Sequence, residues 1–193
     1  MSSQVRILGI AGSRRRGSYN QAALRAAKLL APANVEIEIF QLDEIPMFNE
    51  DDEKSPPSSV VELKNRVRRA DGVLIVTPEY NYSIPPILKN AIDWASRPYG
   101  ESAWSGKAAA IMGASPSTIG TCRAQHHLRQ ILVSLNLFTL CQPEVVIADA
   151  ARRFDENGNL IHEPTKRLIQ ELLNKLVDWT HRLSPAPARE VAA

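Results

Sequence analysis

The stretch Val5-Arg6-Ile7-Leu8-Gly9-Ile10-Ala11-Gly12-Ser13-Arg14-Arg15-Arg16-Gly17-Ser18-Tyr19-Asn20 decides how the whole chain is read. Residues 5–11 are an apolar run of the length of one buried strand, and the run stops at Gly12. A loop of glycine, serine and arginine follows, and residues 21–30 carry a helical pattern. A strand feeding a small-residue loop at a helix start builds an anion site. Backbone N–H groups converge there, the helix dipole favours negative charge, and glycine lets the backbone come close. Ser13, Ser18 and Asn20 add neutral donors, and Arg14, Arg15 and Arg16 add positive charge. The loop suits a phosphate.

Standard nucleotide loops do not account for it. Gly12 and Gly17 have the G-x-x-x-x-G spacing of a Walker loop, but Ser18 stands where the lysine must be. Gly9, Gly12 and Gly17 do not fall on the dinucleotide G-x-G-x-x-G spacing either.

The 193 residues suit one α/β domain with a full core, expected over residues 1–183. With 44% hydrophobic and 23% charged residues, the chain has the composition of a globular protein rather than a disordered one. A net charge of +2 is too balanced to argue for nucleic acid as a partner. Cys122 and Cys141 lack metal-ligand spacing and read as free thiols in a reducing compartment. No signal segment and no membrane-length apolar stretch is apparent, so the expected location is cytoplasmic, with no membrane partner.

The apolar pattern alternates strand and helix. Strands are expected at 5–11, 35–40, 72–77, 107–114 and within 138–148. Most lack polar alternation, as strands buried on both faces do. Helices are expected at 21–30, 58–70, 86–96, 121–135 and 164–183, the last with an apolar stripe of Ile169, Leu172, Leu173, Leu176 and Trp179. These five βα units predict a doubly wound three-layer α/β sandwich around a five-stranded parallel sheet of order 2-1-3-4-5. The ligand crevice then lies beyond the carboxyl ends of strands one, three and four. Residues 155–158 read as a turn, and 184–193, rich in Pro and Ala, as a flexible C-terminal tail.

Two further loops belong to that crevice. After strand three comes Thr77-Pro78-Glu79-Tyr80-Asn81-Tyr82-Ser83-Ile84-Pro85-Pro86. Its prolines stiffen the loop, and its tyrosines offer flat apolar faces suited to a planar heterocycle. After strand four comes Gly113-Ala114-Ser115-Pro116-Ser117-Thr118-Ile119-Gly120-Thr121, small and rich in hydroxyls.

Together Gly-Ser-x-Arg-x-x-Ser-x-Asn at 12–20 and Pro-Glu-Tyr-Asn-Tyr-Ser-Ile-Pro at 78–85 resemble the NADPH-dependent FMN reductase family. Lys89-Asn90-Ala91-Ile92-Asp93-Trp94 and Arg123-Ala124-Gln125 extend the likeness, which covers roughly residues 5–183. The resemblance implies a flavodoxin-like fold, non-covalent FMN, NADPH or NADH as co-substrate, a small-molecule electron acceptor, and a homodimer or homotetramer. It assigns the FMN phosphate to Ser13, Arg15, Ser18 and Asn20, with Tyr19 among the cofactor-binding residues. It sets Pro78, Glu79, Tyr80 and Asn81 along the isoalloxazine, Tyr82 near the entrance, and Ser115 at the far side of the ring or ribityl chain. Ser117 and Thr121 depart from the glycines frequent in the family, which makes the third loop stiffer or narrower.

Flavin chemistry needs no acid, base or metal from the protein, so no catalytic residue is assigned. The acceptor stays open among quinones, chromate, azo dyes and free flavin. Lys89 and Asp93 read as an i,i+4 pair or, by the resemblance, a subunit contact. His126, His127 and His162 read as surface or turn residues, and Cys122 as a packed thiol. Two rival readings remain: a flavodoxin-type FMN electron carrier without NAD(P)H activity, and a non-redox nucleotide-binding regulator.

Overall fold

Alternate side chains of the central strands enter two separate cores, one on each face of a single sheet. Ile7, Leu74 and Met112 join Leu24 and Ile169, whereas Leu8, Val73 and Ile111 join Val60, Leu88 and Leu128. This two-sided burial is why the strands carry no polar alternation.

The computed structural model describes residues 4–184. Six strands are present: β1 (Val5–Ala11), β2 (Val35–Phe40), β3 (Gly72–Val76), β4 (Ala108–Ala114), β5 (Phe138–Thr139) and β6 (Val145–Ile147). The helices are α1 (Tyr19–Leu29), α2 (Ser58–Arg69), α3 (Pro86–Ser96), α4 (Cys122–Ser134) and α5 (Glu163–Leu183). All pairings are parallel, in the order β2-β1-β3-β4-β5, with β6 also on β4. The flavodoxin-like order 2-1-3-4-5 is therefore the one expected. Helices α1 and α5 pack on one face, and α2, α3 and α4 on the other.

One expectation is corrected: the fifth strand is two strands. The ladder beside β4 reaches Leu140, whose N–H donates to Ala109 O at 2.8 Å, lapses over 141–144, and resumes at Val145. Pro143 lies in the gap and has no N–H to offer a ladder. Strand β2, at the sheet edge, does alternate, with Glu36 and Glu38 turned outward. Glu38 pairs there with Arg66 of α2.

Gly113 allows the closest approach in the molecule. A methyl group there would overlap both the Thr77 carbonyl oxygen and Thr121 Oγ1, so glycine brings the end of β4 against the exits of β3 and the start of α4. The tail expected at 184–193 lies outside the described residues except for Ser184, whose N–H donates to Thr180 O at 3.0 Å. Among the described residues no helix is long and apolar enough to cross a membrane.

Candidate functional site

Register brings the three sequence-derived loops to one edge. Ala11 pairs with Val76 and Val76 with Met112, so β1, β3 and β4 end nearly level. Gly12 N–H then donates to Val76 O at 2.9 Å, and Thr77 N–H to Met112 O at 3.0 Å. Beyond these bonds the three chains diverge and line a common rim.

In the first loop, Ser18 is the N-cap of α1. Its hydroxyl accepts from the N–H groups of Asn20 (3.2 Å) and Gln21 (3.4 Å), which starts the helix at Tyr19, earlier than the apolar pattern alone places it. Ser13 Oγ accepts the Arg15 N–H at 3.4 Å, and Gln21 Nε2 donates to Ser13 O at 2.9 Å. The backbone N–H groups of Ser13, Arg14, Arg16, Gly17 and Tyr19 find no acceptor among the described residues. Such uncommitted donors ahead of a helix N-terminus form a cradle for an anion. Arg15 is exposed, 5.8 Å from the Tyr19 ring, with no carboxylate partner among the described residues. Arg14 instead faces Asp43 at 3.9 Å. The Tyr19 ring itself packs on Phe154, centroids 5.6 Å apart.

Asn20 turns inward. Its Nδ2 donates to Ala114 O (2.8 Å), and its Oδ1 accepts the Ala114 N–H (2.9 Å), all buried. Strand β3 pairs with β4 only as far as Met112, so the Asn20 amide takes the place of the missing strand partner. It fastens the first loop to the end of β4.

The second loop makes a two-residue hairpin. Tyr80 and Ser83 exchange N–H···O bonds of 2.9 Å each way, and Asn81 and Tyr82 between them have φ of 49° and 69°. The Glu79 carboxylate is buried and turned to α4: Oε1 accepts Arg123 Nε at 2.5 Å, and Oε2 the Ala124 N–H at 3.1 Å. Pro78 is buried, while Tyr80, Asn81 and Tyr82 reach the surface. In the third loop the Ser115 hydroxyl accepts the Ser117 N–H (3.2 Å), and Asp149 and Ala150 N–H groups bind the Ser117 and Ser115 carbonyls at 3.1 Å. The loop is held both by its own hydroxyls and by the 149–150 backbone. Thr121 is fully buried, with its Oγ1 accepting Gln125 Nε2 at 3.0 Å.

One wall is absent from the motifs. A cavity of about 450 Å³ opens between Ser13 and Arg15 of the first loop and Tyr80 and Pro85 of the second, and Ile45 and Met47 close its third side. Asn90 and Trp94 hold that segment: Asn90 Oδ1 accepts the Phe48 N–H at 2.7 Å, and Asn90 Nδ2 and Trp94 Nε1 both donate to Pro46 O at 2.8 Å. Behind it, Arg97 pairs with Glu53 at 2.8 Å, and Lys64 Nζ donates to Arg97 O. Burial, then the charge of Arg68, holds the Lys64 ammonium below its ordinary pKa. The residue pair Asn90 and Trp94 was visible within the Lys89–Trp94 motif, but its partner, a loop backbone forty-odd residues earlier, was not.

Removing the Asn20 amide leaves a buried N–H and a buried C=O unpaired, so Asn20→Ala is expected to lose about 2–4 kcal/mol of folding free energy. Urea unfolding of the cofactor-free protein measures this, and a loss under about 0.5 kcal/mol would remove Asn20 from that role.

Comparison with known proteins gives the family. The family model described as NADPH-dependent FMN reductase matches residues 5–152. An NAD(P)H-dependent FMN reductase of Pseudomonas aeruginosa is 48% identical over 184 residues, covering 95% of this chain and 99% of the relative. A 2-hydroxy-1,4-benzoquinone reductase of Burkholderia sp. is 40% identical over 175 residues, covering 91% and 96%. Among solved structures, the flavoenzyme NAD(P)H:(acceptor) oxidoreductase FerB of Paracoccus denitrificans superposes with a TM-score of 0.86 at 35% identity, covering 92% of this chain and 98% of that one. On this likeness, across nearly its whole length, the chain belongs to the NADPH-dependent FMN reductase family.

Proposed function

We propose that this oxidoreductase carries electrons from NADPH or NADH, through FMN held at the three loops, to a quinone. One observation supports the reading above others: a single cavity has Ser13 and Arg14, whose N–H groups are uncommitted, with Arg15 at one end and an apolar wall at the other. A phosphate suits the first end and a planar ring the second. FMN carries both, and about 450 Å³ is within the size of ordinary cofactor sites.

When bound, FMN supplies hydride acceptance from the nicotinamide and electron return to the acceptor. The protein supplies the rest. The N–H groups of Ser13, Arg14, Arg16, Gly17 and Tyr19, with Arg15, would hold the phosphate; Ser18 and Asn20 act one step back, by shaping the loop. Backbone at Pro78, Glu79, Tyr80 and Asn81 would line the ring, because the Glu79 carboxylate is committed to α4. Ser115 would approach from the third loop, and Tyr82 would stand near the entrance. Among the described residues no carboxylate, histidine or cysteine lines the cavity. The chain therefore acts by stacking and orienting the reactants, and protons for the reduced acceptor come from solvent.

The wall chemistry narrows the acceptor. Ile45, Met47, Pro85 and Ile87 favour a flat, neutral molecule over an oxyanion. The Burkholderia relative bears a benzoquinone reductase name, which points the same way. A flavodoxin-type carrier, by contrast, has no use for NAD(P)H, and the family is defined by it. Free Cys122 and Cys141 accord with work in a reducing cytoplasm.

Anaerobic NADPH is expected to bleach the yellow FMN-loaded protein, and a benzoquinone to restore the colour, with ping-pong steady-state kinetics. A loaded protein that stays yellow in NADPH would reinstate the carrier. Arg15→Ala is expected to weaken FMN about 10- to 100-fold, the value of one charge-assisted hydrogen bond; unchanged retention in a flavin-fluorescence titration takes Arg15 out of the site. We also propose a homodimer or homotetramer, since Tyr99 and Val133, 92% and 75% exposed, offer apolar surface that a second copy would cover. Sedimentation velocity tests this, and a monomer at micromolar concentration refutes it.

A further inference from the structure

We propose that Arg123 is the positioning residue for the second substrate: it holds the Tyr80–Ser83 hairpin in a backbone conformation that the turn's own residues disfavour. The inference rests on the reading of the cavity as a flavin site.

A two-residue hairpin with both central φ angles positive calls for Asn-Gly or a similar pair. Asn81, at φ 49°, meets that demand. Tyr82, at φ 69°, does not; an aromatic side chain in the left-handed region is a rare, disfavoured arrangement. Something outside the turn must hold it there. The Arg123 guanidinium carbon lies 3.8 Å from the centroid of the Tyr82 ring, close enough for a strong cation–π contact. The same guanidinium donates through Nε to Glu79 at 2.5 Å. Glu79 immediately precedes the hairpin, and its side chain is only 6% exposed. Its second oxygen takes the Ala124 N–H at the start of α4.

One planar group thus grips both the root and the tip of the hairpin. Stacking and in-plane donation at once are open to arginine and closed to lysine. Ser83 Oγ bonds His127 Nδ1 at 2.7 Å, but that tie holds the far side of the turn and leaves Tyr82 φ unconstrained.

What the hairpin carries explains the grip. Tyr80 lines the cavity, and Tyr82 is 69% exposed with one face covered by Arg123 and the other open. Tyr80 is thus part of the wall that a nicotinamide or a quinone would meet, and Tyr82 belongs to the same two-residue hairpin. The phosphate end is held by other contacts, those of Ser18, Asn20 and Gln21. Loosening the hairpin should therefore weaken the second substrate more than FMN, whose phosphate is held elsewhere.

Arg123→Lys keeps a cation for the buried Glu79 carboxylate and loses the stack, so it should fold. FMN affinity is expected to stay within about 3-fold and kcat within about 2-fold, while KM for a benzoquinone rises roughly 5- to 30-fold, the scale of one disfavoured backbone conformer. Tyr82→Gly makes the turn Asn-Gly, which needs no outside support. Whatever KM that variant has, adding Arg123→Lys to it should change KM by less than about 2-fold. An unchanged KM in Arg123→Lys, or an equal rise in the tyrosine and glycine backgrounds, overturns the proposal. Failure of the unsubstituted chain to retain FMN overturns the flavin reading and this inference with it, so the two failures are told apart in one set of measurements.

Discussion

The paired hydrogen bonds between the Asn20 amide and the backbone of Ala114 are the contact on which the site depends. Strand β4 runs past the point where β3 leaves the sheet, which exposes a peptide group that burial cannot tolerate unpaired. An amide is the side chain that offers a donor and an acceptor in the same geometry as a strand. By supplying both, Asn20 joins the first βα loop to the end of a strand 94 positions away. That bond, with Ser18 capping α1, leaves the intervening N–H groups without internal partners. A cradle of uncommitted backbone donors is thus a by-product of how the carboxyl rim of the sheet is closed.

The division of labour among polar residues follows from burial. Ser18, Asn20 and Glu79 carry the most recognisable motif positions, and each spends its side chain on the protein: one caps a helix, one completes a strand, one anchors a hairpin. Arg15 and Tyr82, by contrast, are exposed. A buried polar group without a partner costs more than a ligand contact returns, so motif residues that are buried become scaffolding. The reductase chemistry then needs little from side chains beyond shape, because the cofactor brings the reactive centre.

The apolar wall shows the same economy from the other side. Ile45 and Met47 sit on an irregular segment with little hydrogen bonding of its own. It is stiffened by Asn90, Trp94 and the Arg97–Glu53 pair, all from α3 and its exit or from the segment itself. The helix that follows the second loop therefore also fastens the wall opposite.

Much of this was legible in the sequence. Uninterrupted apolar runs gave five strand positions, with only Pro143 splitting the last, and the βα alternation gave the order of the sheet, because right-handed crossovers leave few alternatives. Small-residue loops after strands one, three and four located the rim. Periodicity reports which faces are buried and turn chemistry reports where chains reverse; both are local. Only the folded chain decided that Asn20 would pair with Ala114, that Asn90 would hold Pro46 and Phe48, and that Arg123 would lie under Tyr82. Those partners are distant in the chain, and their choice is set by strand register and helix packing, which appear only when the sheet closes.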